Sequence, residues 1–414
     1  MTRVRFIAKP SGGLLVTGAR VALANALFAR SRQGHFTLRL PPGEDRVTAD
    51  LRWLGIAWDT IGVPGDYAAA IEHLKTIGRL YPCFESETEL RAKREYRVRR
   101  GQSAVYDRAM LKLTPEQRAA AEAGGKRAHW RFRLSNRVVT WTDAIAGRHE
   151  AKLPAVSDPI LVTADDAPAA ALTAVVDDIT DRITHVIRVD EGDGMTGIHI
   201  DLLSSLGQNP DAVSFASLPV LGVTDRLAIR NLRQDGIDAE ALVTWLGGGQ
   251  RFTLRRMARK PDPVALPALN REVLARREFG SVADRLPRGA TEPFWLAIRG
   301  HIDLLTEARH WWDVVNGSIF PPIPDGGAQL IATARATLPP EPWDNSTWTA
   351  WLAAIPPDAS PDDASPDNAS PDNASPDNAA WLRLILTGEE QGPELAALLP
   401  LIGPTRVLER LRGG

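Results

Sequence analysis

The first thirty residues constrain the fold more than any other part of the chain. Residues 4–7 (Val-Arg-Phe-Ile) predict a short strand, and Pro10-Ser11-Gly12-Gly13 predicts a turn. Residues 19–30 predict a helix, with Val21, Leu23, Ala24, Leu27 and Phe28 on its apolar side. Strand, glycine turn and helix in that order open an α/β unit. The same turn is the natural place for an anion, because backbone N–H groups and the helix dipole meet there. Gly12, Gly13 and Gly18 would let a phosphate approach the backbone closely. The spacing Gly13-x4-Gly18 resembles a phosphate loop, but Ala19-Arg20 stands where Lys and Ser or Thr are required. The Gly-x-Gly-x-x-Gly dinucleotide fingerprint is absent too. Two readings stay open at this point: an anion-binding turn, and a purely structural glycine turn.

Further along, residues 68–80 predict a helix running into Tyr81-Pro82-Cys83-Phe84, and the charged stretch 85–125 predicts more helix. Residues 128–141 alternate as strands do, and 159–162 and 184–189 predict core strands. Beyond about 226 the pattern is helical, with turns expected at Gly247-Gly248-Gly249 and Pro321-Pro322-Ile323-Pro324. Residues 357–379 repeat Ala-Ser-Pro-Asp-Asn with a period of five. A Pro/Asp/Ser repeat that short buries no apolar face, so an extended, disordered linker is expected, with order resuming at Trp381. A chain of 414 residues predicts two to four domains.

A single cysteine, Cys83, excludes a disulfide framework within the chain and a multi-cysteine zinc cluster. The eight histidines are scattered without a helical His pair, so no zinc is expected. No apolar run reaches the ~20 residues needed to span a bilayer. Residues 1–43 carry seven basic residues and no acid, as transit peptides do; read as strand, loop and helix they are the start of a fold, and a cytoplasmic protein is expected. Asp177-Asp178 and Asp190-Glu191-x-Asp193 are read as acidic clusters at strand ends, either candidates for Mg²⁺ or solvated loop acids.

Charge distribution says more than charge total. The formal net charge is −2, yet six aspartates sit in the 357–379 repeat, leaving +4 for the rest. Residues 91–133 hold thirteen Lys or Arg against four acids, and residues 251–288 hold ten against four. Two such stretches suit a polyanion, with Tyr96, Trp130 and Phe132 available to pack on ribose or bases, although a solvated helix face is the ordinary alternative.

At Arg5-Phe6-Ile7-Ala8-Lys9-Pro10-Ser11-Gly12-Gly13-Leu14-Leu15-Val16-Thr17-Gly18-Ala19-Arg20 the chain resembles the opening of bacterial glutamyl-tRNA synthetases, R-F-A-P-S-P-T-G-x-L-H-I-G-G-A-R. The likeness continues through residues 50–59, 81–84 and 129–134, Val175-Val176-Asp177-Asp178-Ile179, residues 183–188 and Leu232-Arg233-Gln234-Asp235-Gly236-Ile237. It runs on into 382–388 and 392–403, so it covers nearly the whole chain in order. The resemblance implies a Rossmann-like class I catalytic domain over 1–225 with an inserted acceptor-stem-binding domain at about 75–158. It further implies a helical stem-contact region at 226–300 and an all-α anticodon-binding-like domain at 301–414, interrupted by the linker.

The family reaction joins glutamate to ATP and passes the glutamyl group to tRNA. By resemblance, Arg5 and Arg188 face the glutamate side chain, and Ser11, Gly12, Gly13, Gly18 and Arg20 face ATP with its Mg²⁺. The basic residues Arg94, Arg97, Arg99, Arg100, Arg131, Arg133, Arg255 and Arg256 are expected to face tRNA, that of glutamate by family, on a monomer. Several family positions are changed. Leu15 and Thr17 stand where the first signature has His and Gly, and Pro41 replaces the acid expected to hold the substrate ammonium. Ala170 replaces the pocket tyrosine, and 220–226 run past the place of the K-x-S-K-R loop. Leucine cannot donate a hydrogen bond to a phosphate. The expectation is therefore a glutamyl-tRNA synthetase-like chain with impaired activity, the alternative being a non-catalytic tRNA binder.

Overall fold

The computed structural model describes residues 1–9, 12–222, 226–247, 252–319, 327–356 and 378–412. It divides into two compact units: 1–230 with 243–262, and 231–242 with 263–414. The expected 226–300 segment is thus shared between them.

In the first unit, β1 (Arg3–Ile7) pairs in parallel with β2 (His35–Arg39), which pairs in parallel with β3 (Thr60–Ile61). Helix α1 (Val16–Ser31) makes the crossover from β1 to β2, as the opening pattern predicts. Short α2 (Asp45–Trp53) and α3 (Tyr67–Thr76) follow. The region 80–162 supplies β4 (Leu80–Cys83), β5 (His129–Phe132), β6 (Val138–Asp143), β7 (Gly147–Lys152) and β8 (Ile160–Val162). After α6 (Ala170–Thr180) come β9 (His185–Val189), α7 (Asp193–Ser205) and β10 (Ser214–Leu218), the last a strand the sequence reading missed. The Thr184 N–H donates to Arg3 O beside β1, and β9 pairs in parallel with β10 from Ser214↔His185 to Leu218↔Val189.

The 75–158 segment does not keep its strands to itself. Strands β4, β5 and β8 form one antiparallel sheet, but the β6–β7 hairpin joins β10 and β9 in the order β7-β6-β10-β9. Val139 and Ala151 from that hairpin, and Leu153 directly after it, are buried with Ile198 and Leu202 of α7, which is why the hairpin belongs to the main core.

The charged stretch 85–125, expected to be helical, holds two α-helices with a short 3-10 turn at Ala109–Lys112 between them. Helix α4 (Glu87–Arg99) starts on a Ser86/Glu89 capping box and ends before Gly101 at φ +68°. Helix α5 (Pro115–Ala123) starts on a Thr114/Gln117 capping box with proline in its first turn. Neither helix buries a residue, so capping and charge carry the local structure.

The second unit is helical throughout its described residues, as expected. Trp295, Trp351, Phe294, Leu330 and Leu398 lie at its centre. Asn270 is fully buried; its amide donates to Gly236 O and Asp303 O and its oxygen accepts from Asp238 N–H, tying the two chain segments of this unit together. The repeat at 357–377 lies outside the described residues, as do the turns expected at 248–249 and 321–324. Helix resumes at Asn378, three residues ahead of Trp381.

Candidate active site

The first βα turn leads from β1 to α1. Gly12 has φ +68° and no heavy atom within 4 Å of an ideal Cβ, so this part of the turn is open. Its N–H donates to Glu44 Oε1 at 3.4 Å, and the Leu14 N–H donates to Asp50 Oδ2 at 2.9 Å. Two turn amides suited to an anion are therefore facing carboxylates from α2 and its N-cap. Ser11 lies outside the described residues. Gly18 is not in the loop but inside α1, where an added Cβ would stand 3.0 Å from Leu14 Cδ1 and 3.4 Å from Phe6 Cζ; it permits close helix–strand packing. Arg20 points inward. It is 2% exposed and donates to the carbonyls of Pro219, Met257 and Arg259. Those acceptors lie 199 to 239 residues away, which is why local pattern could not reveal the side chain's direction.

Leu15, expected at the first family signature, meets the 219–232 segment expected to hold the second. Leu15 bridges Ala228 in antiparallel fashion: Val16 N–H donates to Leu227 O at 2.9 Å, and Ile229 N–H donates to Leu14 O at 2.8 Å. Side chains without hydrogen-bond donors, Leu15 and Leu227, occupy the junction. Residues 223–225 lie outside the described residues.

The two expected carboxylate-binding arginines are both in this unit. Arg5 on β1 is buried and holds Asp178 of α6 in a bidentate pair, Nε to Oδ1 at 2.8 Å and Nη2 to Oδ2 at 3.2 Å. Arg188 on β9 donates through Nη2 to Thr196 Oγ1 at 3.0 Å and comes within 4.0 Å of Glu191. Burial depresses the Arg188 pKa and the positive charge of Arg5 depresses it further; the strands that carry the two arginines are joined where the Thr184 N–H donates to Arg3 O.

The strand-end reading of Asp177 and Asp178 is corrected: both lie within α6 and are buried. Asp177 pairs with Arg39 of β2 at 2.9 Å and accepts from the Tyr67 hydroxyl and Gly65 N–H, while Asp181 also holds Arg39 at 2.6 Å. A valine pair followed by acids suits a strand leaving the core, but Leu172, Val175 and Val176 make a helical face here and the acids answer strand arginines. They are structural counter-ions, and among the described residues no group of three or more His, Cys, Asp or Glu is placed to hold a metal.

Of the expected tRNA-facing residues, Arg94, Arg99, Arg100, Arg133, Arg255 and Arg256 are exposed. Arg97 is half-buried and donates to Ser103 O. Arg100 lies over the Tyr96 ring and donates to its hydroxyl. Arg131 departs from expectation: it is buried on β5, donates to Asp158 O and stacks 4.2 Å from the Tyr106 ring centroid. Strand alternation put it on the inner face. A cavity of about 300 Å³ opens between α4 and this sheet, with Arg91, Arg94 and Arg97 on its α4 wall.

The model for tRNA synthetases class I (E and Q), catalytic domain, matches residues 1–234. The chain belongs to this class I synthetase family. Within it, the chain is 46% identical to glutamate–tRNA ligase 2 of Granulibacter bethesdensis, covering 99% of this chain and 98% of that one. It is 44% identical to glutamate–tRNA ligase 2 of Gluconacetobacter diazotrophicus, covering 99% of both chains. Among solved structures, glutamate-tRNA synthetase from Elizabethkingia anophelis superposes with a TM-score of 0.74 at 18% identity over 99% of both chains. A glutamate tRNA ligase from Elizabethkingia meningosepticum gives 0.71 at 17%, covering 99% of this chain and 98% of that one. These structural likenesses establish the fold. No described helix is long and apolar enough to cross a membrane.

Proposed function

We propose that this chain is a glutamyl-tRNA synthetase-like protein that binds tRNA and glutamate but activates glutamate with ATP poorly or not at all. The observation that carries the reading is the junction of Leu14–Val16 with Leu227–Ile229. There the family reaction needs donors for a phosphate transition state, and this chain brings leucines together. The nucleotide triphosphate and its Mg²⁺ do not fit the residues present: two turn amides face carboxylates, Arg20 is committed to carbonyls, and Asp177 and Asp178 to arginines. The alignment with the Granulibacter relative runs over 452 positions against 414 residues here, consistent with deleted loops. Each lost donor costs about 2.7–4 kcal/mol, so two lower the rate by roughly 10⁴ to 10⁶ where their effects add.

Binding of tRNA is supported by the outward arginines of α4 and residues 255–256. In this reading the 75–158 region meets the acceptor stem, and the helical unit meets the stem and anticodon arm of tRNA-Glu, as a monomer in the cytoplasm. Two assays test it. Gel-shift titration at low and moderate salt should show tRNA bound at micromolar protein. ATP–pyrophosphate exchange with glutamate and tRNA should stay at or near a boiled control. Robust exchange would overturn the impaired chemistry, and no shift would overturn the tRNA partner.

A further inference from the structure

A buried guanidinium and a half-buried one in the same unit repel each other unless a carboxylate stands between or beside them. In this chain that carboxylate is Asp178, 3% exposed and delivered by α6 to Arg5 on β1. The pair uses Nε and Nη2, one edge of the Arg5 fork, and no described residue accepts from Nη1. His199 of α7 lies 3.5 Å from Asp178 Oδ2 without making a hydrogen bond, and its ring meets Phe215 edge-on at 5.5 Å. Burial holds this imidazole well below its usual pKa, so it is neutral packing against the carboxylate and not a competing cation. Arg188 is steered separately, by Thr196 and Glu191.

We propose that Asp178 is a positioning residue of the carboxylate pocket: it fixes the Arg5 fork through Nε and Nη2 and leaves Nη1 to act with Arg188 on the side-chain carboxylate of an amino acid ligand. The inference rests on the reading that Arg5 and Arg188 face glutamate. It also has a consequence opposite to simple charge counting. Removing Asp178 makes the pocket one unit more positive, which by Coulomb attraction alone would tighten binding of an anion. Positioning predicts the reverse, because an unanchored Arg5 no longer offers a set fork.

The test is calorimetric titration of L-glutamate into the full chain and into Asp178→Asn, Asp178→Glu, Arg5→Gln and the Asp178→Asn/Arg5→Gln double variant. Asp178→Asn should weaken glutamate binding tenfold or more, and Asp178→Glu should recover part of the loss. In the Arg5→Gln background the same Asp178→Asn change should cost less than twofold, since its effect acts through Arg5. Binding by Asp178→Asn as tight as or tighter than the unaltered chain, or an equal penalty in both backgrounds, would overturn the positioning role. A measurement on the unaltered chain guards against a variant that fails to fold. The Arg5 Nε–H, followed by NMR, should exchange slowly with solvent both with and without glutamate; fast exchange on binding would mean that Arg5 leaves Asp178, and the role falls. If the unaltered chain binds no glutamate at millimolar concentration, the carboxylate-pocket reading and this inference fall together. If it binds and Asp178→Asn is indistinguishable from it, the inference alone falls.

Discussion

Replacing Arg20 by methionine separates a structural arginine from a phosphate-facing one. The guanidinium is 2% exposed and donates to Pro219 O at 2.9 Å, Met257 O at 2.5 Å and Arg259 O at 2.9 Å. A hydrogen bond from a charged donor contributes about 1.5–3 kcal/mol. The three share one side chain and do not add in full, so the sum is discounted to about 3–5 kcal/mol, the range seen when one partner of a buried charged network is removed. Methionine preserves the apolar stem that packs in α1, which confines the loss to the polar head. For a unit of this size each kcal/mol moves the melting temperature by about 2–4 °C, so Arg20→Met should lower Tm by roughly 10 °C. Arg20→Lys keeps the charge as a single point that cannot reach acceptors so spread out, and should recover less than half. Differential scanning fluorimetry measures Tm, and equilibrium titration with pyrophosphate measures anion binding. A Tm within about 2 °C of the parent together with lost pyrophosphate binding would refute the structural assignment of Arg20.

Three further outcomes are expected. Gly392→Ala should destabilise the helical unit by about 2–3 kcal/mol in urea unfolding, because an added Cβ at φ +143° would sit 2.2 Å from Trp311 Cη2. Burial pushes the Cys83 thiol up to about 11 from 9.0, so the folded state keeps its proton longer than the unfolded one. Its contribution to stability is complete below about pH 9 and disappears as pH rises through about 11; Cys83→Ala should flatten the Tm-versus-pH curve in that window. Arg94→Ala with Arg97→Ala should reduce the slope of log affinity for tRNA against log salt by about 1.4–1.8, whereas Arg131→Ala should lower Tm, since that side chain holds Asp158 O and Tyr106.

Periodicity and punctuation made much of the fold legible. The β1–α1 opening, the strands near 130, 160 and 185, and the helical second half all follow from local pattern. Strand β10, Ser-Phe-Ala-Ser-Leu, lacks a β-branched run and forms by pairing with β9 and β6 on either side. The split between α4 and α5 was visible in principle, because Ser86-x-x-Glu89 and Thr114-Pro115-x-Gln117 are capping boxes and Gly101 lies between them.

The sequence by itself determined the family, the α/β opening, the helical second unit and the absence of donors at Leu15, because residue identities in order carry all four. Only the tertiary structure decided which charged side chains are free to meet a ligand. The resemblance assigns Arg5 to glutamate, Arg20 to ATP and Arg131 to tRNA, yet Arg20 and Arg131 are turned inward by carbonyls distant in sequence, and Arg5 gives one edge of its fork to Asp178. The reason is physical: a buried guanidinium must be paired or hydrogen-bonded, and its partner is set by which strand and helix pack together, a property no local window contains.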